Sequence, residues 1–290
     1  MIYVRLLGGL GNQMFQYAVG RRLAERRNTE LTLDTSQLGT PDPSGATTRF
    51  YELGCFHIRA TLTGTPAAIY HPTTYLARAR RRLGLRHRRR LITESHLGFD
   101  RGVLDAPDGT VLNGYWQDAR YFEDIAPIIR DELRFRGAPS EATRAVARQI
   151  AATEAVSLHV RRGDYISNPD TNRFHGTCNV EYYRLAMAHM ASVLRQPHFY
   201  AFSDDPDWTR EHLASEHPLR IVDHNPPDRG HEDMRLMTAC RHHIIANSSF
   251  SWWGAWLNAS PDKIVVAPRR WYRDEAADAV HELPDAWLRL

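Results

Sequence analysis

Lysine is almost missing from this chain of 290 residues. Lys263 is the only one, although lysine and arginine together number 37. Arginine therefore carries nearly all the positive charge, a compositional skew rather than a functional signal. Net charge is also small, +3, so composition demands no polyanionic partner. Cysteine is scarce. Cys55, Cys178 and Cys240 lie far apart and form neither a metal spacing nor a disulfide framework, which fits a reducing compartment. No uninterrupted apolar run approaches the ~20 residues of a membrane span. The first residues lack the basic start, apolar core and small-residue cleavage site of a signal peptide. These absences predict a cytoplasmic location, with membrane association limited to peripheral contact at the inner face. The GxGxxG spacing of dinucleotide folds is missing too. What is present, 42% hydrophobic and 24% charged residues, is ordinary for a soluble globular chain of one large or two ordinary domains.

The most informative stretch is Ser157-Leu-His159-Val-Arg161-Arg162-Gly163-Asp164-Tyr165. An apolar lead-in, Ala155-Val156, reads as a buried strand. Its end then carries an imidazole, two guanidiniums, a glycine and a carboxylate. Ligands of open α/β sheets sit at the carboxyl ends of strands. Two adjacent guanidiniums there suit a phosphate, because the fork of donors matches its oxygens and never loses charge. Taken alone, Arg-Arg-Gly-Asp favours an ion-paired surface turn; the other stretches reverse that.

Three further strand ends carry polar chemistry. Ile2–Leu7 reads as a strand, Gly8-Gly-Leu-Gly-Asn-Gln13 as a glycine loop, and Met14–Ala24 as a helix, with Leu31–Asp34 returning as a second strand. Glycines there let a ligand approach the backbone, and helix N-termini favour anions. His198–Ser203 predicts a strand ending in Asp204-Asp205, whose carboxylates can accept from a base or ribose. Asn247-Ser248-Ser249 follows the strand His243–Ala246 and opens a helix over Phe250–Leu257, offering backbone N–H groups and two hydroxyls to an anion. A plain serine cap explains the same residues. Strands alternating with helices, including Trp208–Glu216 and Glu232–Cys240, predict parallel sheets in two α/β halves. Val111–Gln117 reads as a strand running into an aromatic loop, with Tyr115, Trp116 and Gln117 as sugar contacts or as core.

Other features admit blander readings. Trp252, Trp253 and Trp256 fall at helical spacing and read as core. His242 and His243 lack a metal spacing. Asp205-Pro-Asp207 mimics the Asp-x-Asp of metal-dependent transferases, ranked lower because the arginines already supply cationic charge. The arginine-rich stretch Arg78–Arg90 reads as a solvated face, with anionic lipid as the weaker option; nucleic acid is not expected, since no stacking aromatics accompany it.

Gly8–Ala18, Gly114-Tyr-Trp-Gln117, His159–Tyr165, Phe202–Asp205 and Asn247–Trp256 together resemble the α-1,2-fucosyltransferases of glycosyltransferase family 11, in family order over most of the chain. The resemblance implies a GT-B-like α/β fold of two Rossmann-like domains whose parallel sheets face a cleft. An acceptor-side domain would span 1–138 and a GDP-fucose-binding domain 139–290. It implies inverting transfer of L-fucose from GDP-fucose to a galactoside hydroxyl, with no cofactor and no metal. The acceptor would be a galactose-containing glycan, free or lipid-linked. Arg161 would contact the β-phosphate. Arg162 would share that role or pair with Asp164 or Asp233. His159 would face the nucleotide, Asp204 or Asp205 would read guanine, and Asn247, Ser248, Ser249 and Phe250 would hold the diphosphate. Gly9, Gly11 and Asn12 would line the donor from the glycine loop, with Asn12 near the fucose. Asp164 is the first choice for general base, with an ion pair to Arg162 as its rival role; Asp118 and His175 are outside candidates. The competing readings are a transferase of another linkage, a metal-dependent transferase of another nucleotide sugar, and a non-enzymatic basic-patch binder of membrane or nucleic acid.

Overall fold

The computed structural model describes residues 1–40, 47–64 and 90–290, and of Asp164 the backbone alone. Apart from Arg90, the arginine-rich stretch lies outside the described residues. The chain divides after Arg136 into two compact units.

The first unit is built on β1 (Ile2–Arg5), α1 (Leu10–Arg26), β2 (Leu31–Asp34), β3 (Thr61–Thr63), β4 (Leu91–Thr93), β5 (Val111–Asn113) and α2 (Ala126–Glu132). Its sheet is parallel in the order β3-β2-β1-β5-β4. Helix α1 begins earlier than the apolar pattern suggested, because Gly9 serves as its N-cap. It lies directly on β1 and β2. A side chain at Gly20 would run into Val4 and would meet Leu31 at 2.9 Å, so only glycine permits this approach. Polar groups also fix the helix. Tyr17 donates to the buried Glu132, and Arg21 Nε lies 3.0 Å from the same carboxylate, which joins α1 to α2. Burial raises the Tyr17 phenol well above its ordinary range, so it stays a donor.

The second unit contains α3 (Glu141–Ala151), β6 (Glu154–Val160), α4 (Gly163–Ser167), α5 (Pro169–His175), α6 (Val180–Val193), β7 (Pro197–Ser203), α7 (Pro206–His212), β8 (Leu219–Val222), α8 (Gly230–Ala239), β9 (His242–Ile244), α9 (Ser249–Leu257), β10 (Val265–Ala267), α10 (Glu275–Val280) and β11 (Leu288–Arg289). Its parallel sheet runs β11-β10-β9-β6-β7-β8. The period of two along β6 divides the core. Val156, Leu158 and Val160 pack with Tyr183, Met187 and Met190 of α6. Ala155 packs on the opposite face with Val146, Leu236 and Met237. Both sheets are thus the α/β, GT-B-like class expected. Helix α7 is shorter than the Trp208–Glu216 expectation and begins two residues sooner. Asp205 accepts from Trp208 N at 3.1 Å as its cap, and Pro206 follows at the first turn. Trp252, Trp253 and Trp256 are buried as core, Trp252 stacked on Trp256 and Trp253 edge-on to both.

Candidate functional site

In each sheet the central strand marks where chain order reverses, and ligands of open α/β sheets lodge at such switch points. In the second unit the switch lies between β6 and β9, paired through Val156↔His242 to Leu158↔Ile244. Residues just past those two ends must therefore be neighbours. They are His159 to Tyr165 on one side and Asn247 to Phe250 on the other. Tyr165 Oη donates to Asn247 O at 3.3 Å, the rings of His159 and Phe250 lie 5.5 Å apart, and the Arg161 guanidinium sits 5.4 Å from the Tyr165 ring. His175 stacks on Tyr165 at 4.8 Å, which brings this outside candidate beside the cluster.

The arginines are held by the next strand end, β7. Arg161 Nη1 pairs with Asp204 Oδ2 at 2.7 Å, and the Arg162 backbone N–H donates to Asp204 Oδ1 at 2.8 Å. Arg162 Nε donates to Asp205 Oδ2 at 3.1 Å, and its guanidinium lies 4.0 Å above the Trp208 ring. Gly163 makes this closure possible: a Cβ there would stand 2.6 Å from Asp204 Oδ2. Among the described residues, Arg162 thus pairs with Asp205 and not with Asp233. Asp233 instead accepts from Asn225 Nδ2 at 2.7 Å. The carboxylates expected to read guanine are each engaged by an arginine. The rival Asp-x-Asp reading also meets two carboxylates turned to different arginines, since Asp207 pairs with Arg210 at 2.7 Å. The side chain of Asp164, the expected base, is outside the described residues.

The turn into α9 divides its labour. The buried Asn247 amide donates to the carbonyls of His175, Gly176 and Trp271, at 3.0, 3.3 and 3.1 Å. The side chain expected to meet the diphosphate thus ties together two segments of the unit, 175–176 and 271. Ser248 caps the helix by accepting from Phe250 N at 3.3 Å. Ser249 follows as the first helical residue, and the Phe250 ring leans against His159, tilted at 36°.

In the first unit the switch lies between β1 and β5. Gly8, in the left-handed region at φ +73°, folds back over Asn12, whose amide fills the space a side chain would need. Asn12 Oδ1 accepts from Gln117 Nε2 at 2.8 Å, so the glycine loop and the aromatic loop are joined. Gly9 caps α1 beside Arg49 and Glu52, and Gly11 is buried in the first turn. Trp116 is only 1% exposed and stands edge-on to Tyr121, so it is core and not a sugar platform. Tyr115 is 38% exposed.

Sequence reasoning missed three groups here. Gln13 donates to Gly8 O and Phe50 O and accepts from Glu52 N. Gln16 bonds both Leu7 groups and Gly114 O. Glu94 accepts from Tyr115 N and Trp116 N. Two glutamines three apart, among the apolar residues of the first half of α1, were the available signal; Glu94 gave none. Asp118, an outside candidate for base, is tied to Arg120 at 2.6 Å.

Burial, aided by Arg161, pushes the His159 imidazole down to about 3. Burial with Lys263 does the same to His243, whose Nδ1 meets Ser157 Oγ at 2.8 Å. Groups held neutral in the fold give their full stability above about pH 6.5, and lose it as pH falls toward 3. Burial raises Asp233 to about 6, which has the opposite sense: its stability is full near pH 4 and lost as pH rises through 6. Two imidazoles moved further outweigh one carboxyl. Unfolding free energy should be lower at pH 4 than at pH 7 by on the order of 4 kcal/mol. Denaturant titrations across that range check this, and a flat profile would contradict it.

Known proteins align with this arrangement. The profile of glycosyl transferase family 11 matches residues 108–288. The α-1,2-colitosyltransferase of Escherichia coli is 30% identical over 100% of this chain and 99% of its own length. The O-antigen biosynthesis glycosyltransferase WbnK of the same organism is 33% identical over all of both chains. Galactoside α-(1,2)-fucosyltransferase 1 of Aotus azarae is 28% identical over 54% of this chain and 44% of its own. Among solved structures, POFUT1 in complex with GDP-fucose shares the fold at a TM-score of 0.50 and 12% identity, covering 92% of this chain and 97% of that one. With the profile spanning both sides of the β6–β9 switch and two relatives matching end to end, the chain is a member of glycosyltransferase family 11.

Proposed function

We propose that the protein transfers L-fucose from GDP-fucose to a galactoside hydroxyl in α-1,2 linkage, with inversion and without a metal, in the synthesis of a surface polysaccharide or oligosaccharide. One observation carries the reading: Arg161 stands past β6, next to the turn that opens α9, at the switch point of a parallel sheet. As the C1–O bond to GDP breaks, negative charge grows on the β-phosphate oxygen and C1 becomes oxocarbenium-like. Arg161 and the N–H groups opening α9 are the fixed donors suited to that charge. Asp204 orients Arg161, while Asp205 and Trp208 immobilise Arg162, so little reorganisation is needed when the charge appears. The acceptor hydroxyl attacks the opposite face of C1 and gives up its proton to a base, with Asp164 the proposed candidate.

The whole-length similarity to an α-1,2-colitosyltransferase favours one second reading, in which colitose replaces fucose and the linkage is kept. One experiment separates them. Purified protein is incubated in EDTA with the GDP-linked form of each sugar and a panel of β-galactosides, and product linkage is read by NMR. Fucosyl product in α-1,2 linkage is expected. Colitosyl product alone selects the second reading, and activity only after added magnesium or manganese rejects the metal-free mechanism.

A further inference from the structure

At the carboxyl ends of β4 and β5 the first unit has a pocket of about 310 Å³, at the small end of ligand sites of roughly 300–1,000 Å³. Its lining includes Glu94, Ser95, His96, Asn113, Gly114 and Tyr115. Among the described residues its lining is uncharged apart from Glu94 and, when protonated, His96. We infer that it binds a neutral sugar ring of the acceptor, a deepening that rests on the glycan-acceptor reading above.

The local construction supports this. Trp116 adopts φ +55°, a left-handed conformation that costs a bulky residue about 1–3 kcal/mol and is found mainly at functional sites. That kink sends the Trp116 ring inward and leaves Tyr115 at the surface, over the pocket. The Trp116 indole nitrogen is buried and has no hydrogen-bond partner among the described residues. Glu94 holds the kink. Its carboxylate accepts from Tyr115 N at 2.6 Å and Trp116 N at 3.1 Å. Gly114 is required for this, because a side chain would collide with the Glu94 stem and meet its Oε2 at 2.8 Å.

The chemistry is that of carbohydrate recognition. Carboxylate oxygens with lone pairs beyond those two bonds accept from sugar hydroxyls, and Ser95 and His96 bond to their neighbours. The Tyr115 ring covers an apolar sugar face. Burial raises the Tyr115 phenol above its ordinary value, keeping it a neutral donor. Specificity then follows from hydroxyl geometry, since a polar site leaves its groups unpaired when a sugar hydroxyl is missing or inverted.

Ser95 and His96 are exposed, so changes at His96 spare the core. The test is saturation-transfer NMR with lactose on the wild type, His96→Ala and Tyr115→Ala, with GDP titrated into each by calorimetry. The galactose signals of the wild type should fall at least tenfold in both variants while GDP affinity stays within twofold. Undiminished lactose signal in the variants overturns the pocket, as does absence of any lactose signal on the wild type. GDP-fucose consumption by the wild type is followed separately. If it is absent the donor reading fails, while a lactose signal lost with His96 still upholds the pocket.

Discussion

Arg161→Ala should lower the turnover number for transfer by a hundredfold or more while leaving the fold intact. One preorganised donor to a developing oxyanion contributes about 3–4 kcal/mol to the barrier, and each 1.4 kcal/mol is tenfold in rate. The structural cost is smaller. Asp204, which loses its ion pair, keeps the Arg162 backbone N–H and is about a quarter exposed. Arg161→Lys keeps the charge but not the fork of donors, and should recover only part of the rate. Asp204→Asn separates charge from position. It leaves the phosphate ligand present but loosely held, so the turnover number should fall more than affinity for GDP. Steady-state kinetics with matched unfolding curves decide this. Wild-type turnover in Arg161→Ala would remove that residue from the mechanism.

The main architecture was legible because buried parallel strands are nearly continuous apolar runs, and β6 and β7 stand out as such. Their polar ends were legible for the same reason: His159 to Asp164 has no business at the end of an apolar strand unless something polar meets it. The edge strands β3, β4 and β11 were not legible. They are two or three residues long, and partners rather than local sequence define them. Helix α4, which immediately follows Arg162, was hidden because Gly163-Asp-Tyr reads as a turn. Within the site, the polar strand ends were legible and the pairings between them were not. Arg162 with Asp205 spans 43 positions, and no spacing rule connects them. The Asn247 amide shows the same limit, since a loop residue that brackets three carbonyls looks, in sequence, like one that binds a ligand.

Gln16→Leu should destabilise the first unit by on the order of 3–6 kcal/mol, a large fraction of the roughly 5–15 kcal/mol typical of a domain. The volume is nearly conserved, so packing is not the cause. The fully buried Gln16 amide accepts from Leu7 N at 3.0 Å, and donates to Leu7 O at 3.2 Å and to Gly114 O at 3.1 Å. Leucine leaves all three backbone groups without that partner, and each costs about 1–3 kcal/mol when buried. Gln16→Glu separates the contributions: a carboxylate still accepts from Leu7 N, but turns two donations into repulsions, so it should be no better than leucine. The consequence for function goes further than the loss of stability. Gln16 is a buried tie between the ends of β1 and β5, beside the Asn12–Gln117 bond, so its loss loosens Gly8 and Gly114 together. Gly8 positions Asn12, and Gly114 admits Glu94 against Tyr115. At a temperature where the variant is still folded by circular dichroism, transfer should already be impaired and lactose binding weakened. A variant that unfolds early yet transfers normally when cold would show that the loops hold their shape without the amide.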